Sequence, residues 1–257
     1  MDKRKKIIAI AIGALIVIGG CAVAAYVLLS PDKLIAAAEA GNAKAAVTYY
    51  NEHVASNPGK VGEYREIFDE TLDKILDDYT KKKIDYEIAE SQARVIKALK
   101  IMPKADEVYE KIENIHDSRL AIDAGEKALG DGDYKQAIEE FRKATEEKDV
   151  AKAGLDEAIS KYKEEFASAF DAALKEDDYK KGKELFEEML EILPDDKDFR
   201  SLQEQKIIKL LQYQIESYET QIDNAVELFR YLADFISDKR EYDWYSELLT
   251  EAYDWAY

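Results

Sequence analysis

The side chains able to do chemistry are few. The chain holds one cysteine and two histidines in 257 residues. His53 follows Tyr49 and Tyr50 in a stretch with helical spacing, and His116 follows Ile115 in another. A nucleophile needs a base within hydrogen-bond reach, and the only thiol, Cys21, sits in a long uncharged run with neither histidine near it in sequence. Asp131-Gly132-Asp133 has the start of a calcium loop, but the twelfth position, where a bidentate Glu belongs, is Arg142. No HExxH, no GxSxG, no Gly-rich phosphate loop and no dinucleotide fingerprint occurs. Carboxylates are too many, at 55 Asp+Glu, for any pair to stand out. The sequence therefore predicts no enzyme, no metal, no cofactor and no small-molecule substrate, and points to binding.

Charge limits what is bound. With 37 Lys+Arg against 55 Asp+Glu the net charge is 37 − 55 = −18. An acidic surface argues against nucleic acid, whose phosphates need cations. The charge is also uneven. Lys3, Arg4, Lys5 and Lys6 precede residues 7–29, which carry no charge at all. As a helix those 23 residues span roughly 34 Å, enough to cross a hydrocarbon core of about 30 Å. The basic flank places residues 1–6 in the cytoplasm and residues 30–257 outside. Within the run, Ile18-Gly19-Gly20-Cys21 resembles a bacterial lipoprotein cleavage signal, with Cys21 as the candidate acylation site. The eight apolar residues that follow, Ala22 to Leu29, favour the uncleaved transmembrane helix instead. Both readings put the acidic bulk at an extracytoplasmic membrane surface.

Composition fixes what must position any binding surface. Four Pro and 11 Gly leave too few turns for an all-β fold, and a single Cys leaves no internal disulfide. Apolar residues recur at spacings of three and four over 61–80, 104–129 and 151–175, predicting long helices. Breakers stand between them at Gly41-Asn42, Pro58-Gly59, Pro103, Gly130-Asp131-Gly132 and Pro194. A recurring pattern follows each long helix. After Tyr134 come Ala137, Phe141 and Ala144, with Gly125 nine before it; after Tyr179 come Gly182, Phe186, Met189 and Pro194. Ala43 opens a similar segment with Ala46 and Tyr50, and Tyr86 a weaker one with Ala89 and Ala93.

These small and aromatic positions over roughly residues 31–200 resemble the tetratricopeptide repeat family, built from helix–turn–helix units. The turn positions 43, 86, 134 and 179 are spaced more widely than that family's usual period of about 34 residues, consistent with an extended first helix in each unit. The resemblance implies an all-α solenoid of helical hairpins over residues 30–200. Residues 201–257 continue the apolar stripe and end in Tyr242, Trp244, Tyr245, Tyr253, Trp255 and Tyr257, which reads as a C-terminal helical cap, the alternative being an aromatic docking surface.

The resemblance also implies a function: a membrane-tethered scaffold whose first helices line a surface for a partner protein or peptide. Eight residues before Tyr86, Tyr134 and Tyr179 stand Asp78, Glu126 and Asp171, a candidate acidic groove for a basic segment. The alternative is a structural or assembly subunit of a cell-envelope complex. The two differ in surface, since a permanent subunit exposes a large apolar patch and a scaffold does not.

Overall fold

A computed structural model describes residues 32–176 and 178–206, and these are all helix, turn and loop, with no strand among them. Four helical hairpins follow one another: α1 (Lys33–Glu39) with α2 (Ala43–His53), α3 (Pro58–Thr80) with α4 (Tyr86–Ala98), α5 (Lys104–Asp131) with α6 (Tyr134–Lys143), and α7 (Lys148–Lys175) with α8 (Tyr179–Ile192). Residues 197–206 begin a further helix, α9, capped by Asp196, whose Oδ1 accepts from the Phe199 N–H at 3.1 Å. The expected extended first helices are present: α3 has 23 residues, and α5 and α7 have 28 each. No helix among the described residues is long and apolar enough to cross a membrane. The expected anchor at 7–29, Cys21, and most of the expected cap at 201–257 lie outside the described residues.

One turn design recurs in three of the hairpins. The N–H groups of Asn42, Asp133 and Asp178 donate to the carbonyls of Ala37, Ala128 and Ala173, five residues earlier, at 2.8–2.9 Å. This is the closing bond of a Schellman turn, and it satisfies a carbonyl the helix end leaves open. The side chains of the same three residues accept from the N–H groups of Ala45, Gln136 and Lys181 at 3.0 Å, capping the next helix. One Asn or Asp thus ends one helix and starts the next. Gly41 and Gly132 precede two of them with φ of +67° and +81°, the left-handed region the turn requires. The α3–α4 turn departs from this design. Lys83 N–H closes α3 on Asp78 O, but Asp85, two residues later, is the N-cap and its side chain makes no cap bond. That is why the pattern around Tyr86 is the weak one. Pro58 is not in a turn but is the first residue of α3, with Asn57 as its cap, the helical position that tolerates a missing N–H.

The described residues fall into two compact units, 32–123 with 143–150, and 124–142 with 151–206. In the first, α4 packs against α1, α2 and α3. Ala89 and Ala93 on α4 are fully buried, as are Leu34, Phe68, Leu72 and Ile96. The end of α3 is held by Arg119 of α5. Its Nη1 and Nη2 donate to the Tyr79 and Thr80 carbonyls at 3.3 and 3.1 Å, its Nε donates to Glu147 at 2.7 Å, and it lies over the Tyr79 ring.

In the second unit Phe141 of α6 occupies a slot beside two glycines. A Cβ placed on Gly125 of α5 would come within 2.8 Å of its ring, and one on Gly154 of α7 within 2.4 Å. Ala137 on α6 is buried, as is Ala144, which follows α6 and belongs to the first unit; the repeat pattern expects close crossings at both. Phe186 and Met189 of α8 and Phe166 and Phe170 of α7 fill the rest of the core, with Phe166 and Phe170 stacked at 5.3 Å. Gly182 faces Phe170 and Leu174 at ordinary contact distance. Tyr134 is half-buried at the start of α6, Tyr179 opens α8, and Pro194 is exposed in the turn that follows.

Candidate functional site

In the first unit a cleft of about 270 Å³ lies between the end of α1, the second half of α3, and α4. Local chemistry explains why it stays open. A Cβ on Gly41, just past α1, would come within 2.8 Å of the Ser91 hydroxyl oxygen, so only a glycine lets the chain turn this tightly against α4. Gln92 Nε2 donates to Glu39 O at 2.7 Å and pins α4 to the end of α1. Ile84 and Ile88 are half-buried walls over Ile75 and Ile96, which are buried. The polar groups beneath are already satisfied: Ser91 donates to Ile88 O and Thr71 to Ile67 O.

The rim is charged. Asp78 of α3 lines the cleft with Lys74 and Glu87. The Asp78 side chain is 18% exposed and accepts from Lys83 Nζ at 2.8 Å. That hydrogen bond holds the Lys83 ammonium above the usual lysine range. The cleft is large enough for one or two side chains and too small for most cofactors. An apolar floor with a carboxylate at its edge suits an aliphatic side chain flanked by a cation.

Of the three carboxylates expected to form a groove, only Asp78 lines this cleft. Glu126 and Asp171 belong to the second unit. Glu126 is exposed on α5, and Asp171 of α7 pairs with Lys206 at 2.9 Å. The sequence reading missed Ile84, Ile88 and Gln92, which belong to the unit with the weakest repeat pattern. It also missed Gly154, an isolated glycine in a helical run. The two histidines pack against tyrosines: the His116 ring lies parallel to Tyr86 at 3.6 Å, and the His53 ring lies 4.7 Å from Tyr49.

In the second unit an open hollow lies beside Tyr134, Tyr162, Phe166 and Leu185, with Lys135 and Glu188 paired at 3.0 Å on its wall. Burial pushes the Tyr162 hydroxyl up to about 12, so it is a neutral hydrogen-bonding group at any physiological pH. No protein family, no curated protein and no solved structure matches this chain.

Proposed function

We propose that this protein is a membrane-tethered scaffold that holds a basic segment of a partner protein in the cleft of its first unit. The cleft carries the reading, because it joins an apolar floor to the Asp78 carboxylate in one place. Residues 7–29 supply the tether and residues 1–6 the cytoplasmic flank. The hairpins serve as a tetratricopeptide-like frame in which long first helices present side chains that the short second helices support. The surface favours this over an assembly subunit. Among the described residues the large apolar side chains more than half exposed are Leu120, Val150 and Leu202, too few for a permanent interface.

A ligand cation at the rim competes with Lys83 for Asp78, so it contributes more to encounter than to affinity. The test is fluorescence polarisation of labelled peptides that carry an isoleucine or leucine flanked by lysines, titrated with the chain. Asp78→Asn is expected to weaken binding about fivefold at low salt, and Ile88→Glu at least tenfold by charging the floor. Glu126→Gln and Asp171→Asn are expected to change little. Equal binding by wild type and both cleft variants overturns the cleft as the site.

A further inference from the structure

Among the described residues of this chain of net charge −18, a hollow in the first unit has the opposite character. It is open, about 790 Å³, and is lined by Arg65 of α3, Arg94 and Lys97 of α4, and Lys100 of the turn that follows, beside Ile101 and Met102. Asp106 is its only carboxylate, so four cations face one anion. The surrounding contacts pair two of the four, Arg94 and Lys97, and leave Arg65 and Lys100 without a carboxylate partner among the described residues. Arg65 Nε donates to Ile101 O at 2.7 Å, which holds the guanidinium at the hollow without neutralising it. Arg94 lies 3.5 Å from Glu90 with its side chain 58% exposed. Lys97 lies 3.3 Å from Asp106 and over the Tyr109 ring. Lys104, close by, is already held by Asp69 and Asp73. Lys100 is exposed, and its ammonium meets no hydrogen-bond or ion-pair partner among the described residues.

The other end of α3 gives the internal comparison. Lys82 stands in the same left-handed backbone position after α3 that Lys100 takes after α4, with φ of 55° and 54°. There the neighbouring lysines are neutralised: Lys81 pairs with Asp77 and Lys83 with Asp78. Cations near a helix C-terminus complement its dipole, which accounts for Lys97 but not for Arg65, which comes from the first turns of α3.

The position of the hollow points to its ligand. The Tyr64 hydroxyl donates to Asp32 Oδ2 at 2.9 Å, so the described chain begins beside the turn of α3 that carries Arg65. Asp32 follows the uncharged run 7–29 by three residues, at most roughly 11 Å of extended chain. We infer that this basic hollow seats on the phosphate headgroups of anionic lipid in the membrane that holds the anchor. The inference rests on the anchoring proposed above. An ectodomain with 33 basic and 54 acidic residues from residue 30 onward is otherwise repelled by an anionic surface. A local cluster of cations at the exit point reverses that repulsion where it matters, each Lys or Arg near the surface favouring contact about fivefold.

The test uses the full chain in nanodiscs of phosphatidylcholine with or without phosphatidylglycerol. Lysine acetylation is read by mass spectrometry at Lys100, with Lys82 as the control roughly 25 Å further along α3. The expected result is a fall of at least threefold in Lys100 reactivity with phosphatidylglycerol, no change at Lys82, and recovery near 1 M salt, where screening shortens to about 3 Å. Arg94→Gln should weaken that protection. Equal Lys100 reactivity in both discs overturns the inference while leaving the anchor intact. A chain that fails to enter the neutral discs overturns the anchor, and this inference with it. Protection of Lys100 by poly-glutamate in neutral discs, with none from phosphatidylglycerol, overturns the lipid in favour of an acidic protein partner.

Discussion

The slot around Phe141 makes a prediction in which the sign of a mutation depends on a second residue. Alanine in place of a helical glycine normally stabilises by about 0.5–1 kcal/mol. Gly130 on α5 has nothing within 4 Å of its Cβ position, so Gly130→Ala should follow that rule. Gly154 cannot. Its Cβ would lie 2.4 Å from Phe141 Cζ and 2.8 Å from Cε1, against a carbon–carbon optimum of about 3.5–4.0 Å. The ring is enclosed, because Phe141 is 3% exposed and also lies tight beside Gly125, where a Cβ would meet it at 2.8–3.0 Å. Overpacking of this kind costs about 1–3 kcal/mol, so after the helix-propensity gain Gly154→Ala should destabilise by about 1–2 kcal/mol. Gly125→Ala should destabilise somewhat less.

Replacing the ring tests the cause. Phe141→Leu removes the atoms that Gly154 approaches, and in that background Gly154→Ala should be neutral or stabilising. The coupling between the two positions should then be about 1.5 kcal/mol or more, within the range found for residues in contact. Because the chain forms two compact units, a local observable is preferable to a global melt. Amide hydrogen exchange of the 134–143 peptide provides one, and about 1.4 kcal/mol corresponds to a tenfold change in protection. Protection should fall roughly tenfold in Gly154→Ala, and Gly154→Ala should not lower it further in the Phe141→Leu background. If Gly154→Ala raises protection whatever stands at 141, the slot is not tight and the helix crossing has been misread.

Three further outcomes follow from single contacts. Arg119→Met should destabilise the first unit by about 2 kcal/mol, since it frees the α3 carbonyls and leaves Glu147, 15% exposed, unpaired; Arg119→Lys should recover little, as only the guanidinium fork reaches all three acceptors, and hydrogen exchange over 73–80 reads both. The Lys163 hydrogen bond holds the Asp196 carboxyl below the usual aspartate range, so its contribution is complete above about pH 4 and lost as pH falls through the lowered folded value; an Asp196→Ala chain should lack that part of the acid dependence, read as amide protection of α9 against pH. The membrane-extracted protein should retain the residues before Cys21, with an intact mass unaffected by Cys21→Ser beyond the substitution itself, whereas a mass starting at an acylated Cys21 would replace the transmembrane helix with a lipid anchor.

The helices were legible because breakers and apolar periods agree. The predicted 104–129 became 104–131 because Gly130 is tolerated inside α5 and the left-handed residue is Gly132. The predicted 61–80 became 58–80 because Pro58 opens α3 rather than breaking the chain before it. The doubled role of Asn42, Asp133 and Asp178 leaves a trace in the sequence as an Ala five residues before an Asn or Asp, although it takes the backbone hydrogen bonds to reveal why. What could not be read were contacts between elements. Nothing in a sequence says that Arg119 reaches Tyr79 O across 40 residues. Nor does one offset along three helices fix which way their carboxylates face, and Asp78 and Asp171 turn out to be held by Lys83 and Lys206.

The cleft and the basic hollow make a joint prediction, because both use α3. Asp78 and Arg65 are thirteen residues apart on one helix, roughly 20 Å along its axis. That is about twice the screening length of 8–10 Å at physiological salt, so a headgroup phosphate at Arg65 and a lysine at Asp78 barely sense each other. If the Arg65 end rests on the membrane, the Asp78 end stands away from it and the cleft stays accessible. Anionic lipid will itself capture basic peptide, so raw affinities in the two kinds of disc are not comparable. The ratio of wild-type to Asp78→Asn affinity removes that shared term, since both chains see the same free peptide. This ratio should agree within about twofold between discs with and without phosphatidylglycerol. A ratio that collapses to one with anionic lipid would mean that the membrane covers the cleft, and the two sites could not then serve a tethered scaffold at the same time.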